Sequence, residues 1–516
     1  MKRVAVALIL LALVAGCTSD DSSNDDEPGS SPANTDLLPN QLAGVPIPDG
    51  RVDDAVAKLD GLVDKLMKET GIPGMSVAVV HKGKSVYAKG FGVRDVQTGE
   101  QVTPDTVFQL ASVSKSVAAT VVAREVEKGT VTWETPAVSK LPWFALADPY
   151  VTANVTVGDL FSHRSGLPDH AGDRLEDLGY DRRQVLERLR QEPLDPFRIS
   201  YHYTNFGLTA GAEAVAAAAG TDWATLSQRE LYEPLGMGVT SSRHSDFMSR
   251  ANRAVGHIRQ DGKWVVNPMQ RQPDAQSPAG GVSSSVNDMT KWLIDLLADD
   301  DSKGLLPALT PQARTGPIQS VDARASFYGY GFNTGVSASG RTMLSHSGAF
   351  ALGAATSFAA IPSADVAIIA LTNAFPIGVA ETLANEFSDL VQFGEPKHDW
   401  WGLFTKIFEP FDNPEGSLAG TSRPSNPAPA QPISSYVGVY RNPFWGDATI
   451  TERDGALELA LGTTTRVRLQ HWDANTFTYP LTNENAPPGS IVKVDFAGNT
   501  ATLDYYDEDG LGKFTK

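Results

Sequence analysis

Apolar residues recur three or four positions apart through "VDDAVAKLDGLVDKLMKE", where Val52, Val56, Leu59, Val63 and Leu66 fall on one side, and this predicts one amphipathic helix. The period then drops to two. "GMSVAVVHKGKSVYAKGFGV" reads as two strands about a Lys82-Gly83 turn, and "LGAATSFAAIPSADVAIIALTNA" as two more about Pro362-Ser363. Between these hairpins the pattern is mainly helical. It includes residues 108–129, where Val113, Val117, Val121 and Val126 form a stripe that Gly129 ends. "VAETLANEFSDLVQ" predicts a closing helix. Strands at both ends of a unit with helices between them imply an antiparallel sheet whose halves meet in space, flanked by helices, an α+β plan with a helical insertion. The expected unit spans residues 51–395. A helical tail and Pro-rich linker at 396–432 follow, with Pro414, Pro424, Pro427, Pro429 and Pro432 close together. Alternation such as "DATITE" and "ALELAL" then predicts a small all-β domain at 433–516.

Length and composition fit this plan. A chain of 516 residues with 41% hydrophobic content has room for two or three ordinary cores. Its net charge of −18, with basic side chains scattered, lacks the electrostatic footprint of a nucleic-acid binder. The start is distinctive: "MKRVAVALILLALVAGC" places Lys2 and Arg3 before an apolar run ending at the only cysteine. As a helix that run would measure about 20 Å, against a hydrocarbon core of roughly 30 Å, so it reads as a signal peptide over 1–17. Its end, Val14-Ala15-Gly16-Cys17, resembles the bacterial lipoprotein cleavage box, in which the cysteine is lipidated; losing Lys2 and Arg3 would take the charge to −20. Residues 18–50, rich in Ser, Asp, Asn and Pro, are expected to be a disordered tether. A single cysteine forms no internal disulfide.

The chemistry centres on "FQLASVSKSVAATVVAREVEKG". On a helix, Ser112 and Lys115 lie one turn apart with Cβ atoms about 5–6 Å from each other, within reach of an ammonium–hydroxyl contact. If that face is buried, the lysine pKa falls and it can accept the serine proton. The bland reading of Ser112 is a helix cap. The same spacing also occurs at Ser490 and Lys493, in the strand-like "PPGSIVKVDF". A Gly-x-Ser-x-Gly elbow, a His-Glu-x-x-His site and a second cysteine are all lacking. Two triplets remain, Tyr203-Thr204-Asn205 and His346-Ser347-Gly348, each with a decoy, at Tyr440-Arg441-Asn442 and at His81-Lys82-Gly83.

Order separates candidates from decoys: Ser112 opens a helix, Tyr203 follows in the helical middle, and His346 comes just before a strand pair. With "GIPGMSVAVV", "DLFSHRSGLPDH", "PAGGVSSSVNDMTKWL" and "YGYGF", residues 52–395 resemble the serine β-lactamase-related family, in its class C β-lactamase, DD-peptidase and esterase branch. The resemblance implies the β-lactamase/DD-peptidase-like fold, with the catalytic residues Ser112 as nucleophile, Lys115 as the helper that keeps the serine proton mobile and Tyr203 as general base or acid. It implies substrate contacts from Asn205, His346, Ser347, Gly348 and Ala349, with the N–H groups of Ser112 and Ala349 as oxyanion donors. Gly348 is expected to keep the strand edge open to substrate. Neither metal nor organic cofactor is implied.

His346 stands where most β-lactamases of this family carry Lys, and a histidine is mostly neutral near pH 7. A fixed cation for a substrate carboxylate is therefore not expected, which favours peptides or esters over β-lactams, unless a partner charges the imidazole. His163 is expected to fix a loop, and Gly280 and Gly281 to form a tight turn. The C-terminal unit resembles a lipocalin-like β domain of unknown function, whose aromatics Trp445, Trp472 and Phe477 are expected to form its core, the alternative being the lining of a pocket. The combined expectation is an extracytoplasmic serine hydrolase on the bacterial cell envelope, lipid-anchored to the membrane through Cys17. It would form an acyl-enzyme with small peptides or esters, peptidoglycan stem peptides among them. The alternatives are a β-lactamase or a non-catalytic penicillin-binding-type envelope protein.

Overall fold

The computed structural model describes residues 41–298, 302–318 and 320–516. The signal segment, Cys17 and most of the tether lie outside the described residues. The helix expected from Val52 onward forms as two, Arg51–Ala57 and Leu59–Thr70, broken at Lys58. Their apolar side, with Val52, Leu59, Val63 and Leu66, packs with Leu383, Phe387 and Val391 of the helix Val379–Phe393. Both rest on one face of an eight-stranded antiparallel sheet.

That sheet joins the two ends of the unit. Gly74–His81 pairs with Lys84–Gly92 on one side and with Val366–Thr372 on the other. Ala354–Ile361, Thr342–Phe350 and Asn333–Val336 follow in order. Buried strands read as continuous apolar runs, as Val366–Thr372 does, and the short loops leave only antiparallel pairing. Thr342–Phe350 is paired with Asn333–Val336 only through Ser345, so residues 346–350 keep one edge outside the ladder. This edge faces the helical part of the molecule.

The helix Ser114–Glu127 lies at the centre of that helical part. It is not the one-sided surface helix its valine stripe suggested, because polar Ser114, Lys115, Ser116, Thr120 and Glu125 are buried too. The helices Asn205–Ala218 and Ser277–Gly280 pack beside it. The C-terminal unit is a meander of nine strands in two sheets. Its first and last strands meet through Arg441 and Thr515, which exchange backbone hydrogen bonds of 2.8 and 3.0 Å. Trp445 and Phe477 are buried in it and Trp472 is half-buried.

Two departures from the sequence reading concern this unit. The proline-rich stretch is laid along the β domain: Glu415 N–H donates to Ser490 Oγ (2.9 Å), Ser417 Oγ to Asp504 (2.6 Å) and Ala428 N–H to Asp473 (2.6 Å). Prolines lack N–H groups but leave their neighbours extended, which suits docking along strand edges. The domain is also packed against the unit that precedes it. Tyr180 donates to the Trp445 carbonyl (2.8 Å), Thr463 N–H to the Leu178 carbonyl (2.8 Å) and Asn485 to Asp177 (2.8 Å).

Candidate active site

A two-residue strand, Phe108–Gln109, and a single 3-10 turn, Ala111–Val113, deliver Ser112 to the start of the long helix. Ala111 holds φ +46°, a left-handed conformation that a residue with Cβ adopts only under constraint. It is wedged against Phe350 and Ala354, which turns the next residue, Ser112, outward. Lys115 is fully buried one turn on. Its Nζ donates to Ser112 Oγ (3.1 Å), Asn205 Oδ1 (2.7 Å) and the Ala279 carbonyl (3.0 Å), using all three ammonium protons. Burial lowers its pKa to about 7, against the opposing charge of Asp173. The other candidates in this stretch are structural. Ser114 accepts from Val282 N–H (3.0 Å), Ser116 donates to the Gly331 carbonyl (2.6 Å), and Lys128 pairs with Glu125 and Glu230.

Tyr203 and Asn205 come from the segment leading into Asn205–Ala218. Tyr203 is clamped on both sides of its backbone: its N–H donates to Asp169 Oδ1 (2.6 Å) and its carbonyl accepts from His170 N–H (2.8 Å). Its ring lies 4.6 Å beneath Lys115 Nζ. Burial pushes the phenol pKa up, partly offset by the adjacent Ser112 hydroxyl, so Tyr203 rests protonated. Asn205 gives Nδ2–H to Asp173 Oδ2 (2.8 Å) while Oδ1 holds Lys115. The amide is thereby fixed in one orientation. His163 has the loop role expected, accepting Thr204 N–H at Nδ1 (3.2 Å), with its ring 4.6 Å from that of Tyr203. Gly281 turns the chain so that the Ala279 carbonyl reaches Lys115; a Cβ there would stand 2.6 Å from Ser277 Cα.

The strand Thr342–Phe350 carries the remaining candidates. His346 is not among the residues lining the cavity over Ser112. Its Nδ1–H donates to the Ser347 carbonyl (2.7 Å) and its Nε2 accepts from the Tyr328 hydroxyl (2.7 Å), so both nitrogens are engaged. Burial, then the Lys115 charge, lowers its pKa to about 3, and the ring is neutral. Ser347 points through the sheet, where its hydroxyl contacts Glu381 of the closing helix rather than the cleft. Gly348 is needed for a closer reason than substrate access. A Cβ would stand 2.3 Å from the Leu110 carbonyl and 2.9 Å from Ser112 N, so glycine lets the strand touch the backbone of Ser112. Ala349 lies in the part of the strand beyond its pairing with Asn333–Val336 and lines the cavity with Ser112. Ser112, Lys115, Tyr203, Asn205 and Ala349 thus converge; the His346 ring stands 6.5 Å from that of Tyr203 but outside the cavity lining, and the Ser347 side chain turns away.

Asp169 and Asp173 are the site residues the sequence did not reveal. They follow "SHRSGL" in "PDHAGD", a run with no spacing of its own, so only the fold shows that they hold Tyr203 and Asn205. The decoys are plainly structural. Ser490 Oγ donates to the Pro487 carbonyl (2.6 Å), Lys493 pairs with Asp495 (2.8 Å), Tyr440 donates to the Tyr436 carbonyl (2.9 Å), and Lys82-Gly83 is a hairpin turn.

Above Ser112 lies a cavity of about 440 Å³. Asp169 to Arg174 and Ala349 to Ala351 form its lower wall, and Phe411, Trp445, Glu484, Tyr506 and Leu511 help roof it from the C-terminal part of the chain. Ser112 therefore sits between the two domains.

Comparison with known proteins agrees with this geometry. The Beta-lactamase family model matches residues 59–392, and a domain of unknown function, DUF3471, matches 422–505. The chain is 26% identical to the unguisins hydrolase ungD' of Aspergillus campestris, over 77% of this chain and 78% of that one. It is 29% identical to penicillin-binding protein 4 of Amycolatopsis lactamdurans, over 52% of this chain and 73% of the other. The octameric penicillin-binding protein homologue from Pyrococcus abyssi superposes with a TM-score of 0.57 at 20% identity, over 89% of this chain and all of that one, a likeness of fold. With a family model covering well over half of the sequence, Ser112, Tyr203 and Asn205 lining one cavity and Lys115 buried against Ser112 and Asn205, the chain belongs to the Beta-lactamase family of serine hydrolases.

Proposed function

We propose that this protein hydrolyses small peptide or ester substrates through an acyl-enzyme on Ser112. The contact that carries the reading is the 3.1 Å approach of a fully buried Lys115 Nζ to Ser112 Oγ. With its pKa near 7, part of the Lys115 population is a neutral amine at neutral pH, with a lone pair for the serine proton. Ser112 Oγ then attacks the substrate carbonyl as its proton passes to Lys115, and the N–H groups of Ser112 and Ala349 receive the oxyanion. Tyr203, protonated at rest, supplies a proton to the departing amine or alkoxide and is restored through Lys115. Water repeats the sequence on the ester and frees Ser112. Tyr203 acts here as an acid first, since burial raises its pKa.

A peptidase or esterase is favoured over a β-lactamase, because the neutral, enclosed His346 offers no cation to a β-lactam carboxylate. The intact Ser112–Lys115 contact likewise argues against a purely binding protein. Turnover of a p-nitrophenyl ester or a D-alanyl-D-alanine peptide tests the reading. The parent should turn over at least one while Ser112→Ala turns over neither; equal rates in the two proteins would overturn it.

Anchoring at the extracytoplasmic face through a lipid on Cys17 belongs to the same proposal, supported by the charged start, short apolar run and terminal cysteine of residues 1–17. Cys17→Ser should move the protein from the membrane to the soluble fraction of its native host. A variant that stays fully membrane-bound would refute the lipid anchor.

A further inference from the structure

The turn that ends the strand Thr342–Phe350 is shared between the two domains. Gly353 N–H donates to the Phe350 carbonyl (2.9 Å), and the Leu352 carbonyl accepts from Asn267 Nδ2 (3.1 Å), both within the first unit. Ala351 N–H donates instead to Glu484 Oε1 (2.7 Å), a carboxylate of the C-terminal domain. A backbone N–H bonded to a carboxylate is about twice as strong as a bond between neutral partners.

Glu484 stands in the loop 481–490 between the strands Thr476–Pro480 and Ile491–Ala497. The loop is closed by its own bonds: Leu481 N–H to the Ser490 carbonyl (3.0 Å), Asn483 N–H to the Ala486 carbonyl (3.0 Å) and Asn485 N–H to Asn483 Oδ1 (3.0 Å). Asn485 Nδ2 pins it to Asp177 (2.8 Å), so the carboxylate is presented in one place. Glu484 and Asn485 line the cavity over Ser112 together with Ala349, Phe350 and Ala351.

Arg271 holds the same place from the first unit. Its guanidinium lies 5.0 Å over the Phe350 ring, pairs with Glu176 (2.6 Å) and attracts the Glu484 charge. Phe350 packs on Ala111, the residue before Ser112, and the Arg271 carbonyl accepts from Gln109 Nε2 (2.9 Å) in the strand leading to that serine. The contacts at Trp445, Leu178 and Asp177 dock the domain elsewhere, whereas Glu484 reaches the end of the strand that carries Ala349.

Building on the acyl-enzyme reading, we propose that Glu484 is a positioning residue: by accepting the Ala351 N–H it holds the strand end, and with it Ala349, against Ser112, so that the C-terminal domain sets the rate of acylation as well as roofing the cavity.

Stopped-flow acylation by a p-nitrophenyl ester tests this on the full-length protein. A misplacement of about 1 Å costs up to ~10²-fold, so Glu484→Ala should lower the acylation rate at saturating ester by about 10- to 100-fold. The apparent Kd of the ester should stay within about threefold, because the oxyanion forms only after attack. A glutamine oxygen can accept the same N–H, so Glu484→Gln should recover the rate to within about fivefold of the parent. Thr463→Ala removes a docking bond to the Gly179 carbonyl (3.0 Å) away from the cavity and should acylate at the parental rate. Should Glu484→Ala fail to fold, Glu484→Asp keeps the charge but shortens the reach, and it should slow acylation by about tenfold. Parental acylation in Glu484→Ala or Glu484→Asp, a loss confined to Kd, no recovery in Glu484→Gln, or an equal loss in Thr463→Ala would overturn the inference. Parental turnover in Ser112→Ala would instead strike at the acyl-enzyme reading.

Discussion

Lys115 carries the chemical argument at the residue scale, because the ammonium and the amine do opposite things to Ser112. As an ammonium it donates to Oγ, and only after losing a proton can it accept one. A lysine pKa lowered to about 7 means that the competent fraction grows as pH rises, so kcat/KM for a neutral ester should climb through an acid limb near 7. An ester rate flat from pH 5.5 to 8.5 would contradict this. Lys115→Ala and Tyr203→Phe should each slow acylation by at least ~10²-fold, measured by stopped-flow with the same ester, and parental rates in both would move the chemistry elsewhere. Ser112, Lys115, Tyr203 and Asn205 were legible in the sequence because short motifs in a fixed order carry them. The state of His346 was not, since its neutrality depends on Tyr328 and the Ser347 carbonyl, contacts no spacing encodes. Asp173 was hidden for a like reason. A lone carboxylate in a loop looks like any solvated one until the fold buries it against Asn205.

At the level of elements, the close pass of the Thr342–Phe350 strand over the nucleophile turn is what assembles the site. Gly348 permits it, and a methyl group there would meet backbone atoms, which cannot rotate away as a side chain can. Gly348→Ala should therefore push the strand off Ser112 and lower kcat/KM by ~10²-fold, the scale of losing an oxyanion donor, with a smaller loss of thermal stability. Parental kcat/KM in that variant would show that the strand does not position the oxyanion site. The two hairpins were readable because Lys82-Gly83 and Pro362-Ser363 punctuate period-two runs. Less readable was the nucleophile helix, where Ser114, Ser116 and Thr120 satisfy their hydroxyls internally and so can be buried on faces that a hydropathy pattern assigns to water.

For the whole molecule, the main finding is that the C-terminal β domain roofs the cavity over Ser112. Its existence was visible as strand alternation beyond a proline-rich stretch, but its docking was not, because the contacts join residues hundreds of positions apart. Tyr180 under Trp445 and Arg174 against the Tyr505 carbonyl (2.5 Å) belong to a continuous buried surface. A chain ending at residue 412 should therefore melt at a lower temperature than the full protein and accept bulkier acyl donors, because Phe444, Trp445 and Tyr506 no longer bound the cavity. An unchanged melting temperature with unchanged donor selectivity would show that the domains are independent. The central claim concerns one covalent bond, and it is tested most directly by mass spectrometry of the full-length protein quenched during turnover of a slow ester or after fluorophosphonate treatment. The account predicts one adduct per chain, mapped to the peptide containing Ser112 and absent from Ser112→Ala. An adduct on another residue, or one of equal occupancy in Ser112→Ala, would contradict it.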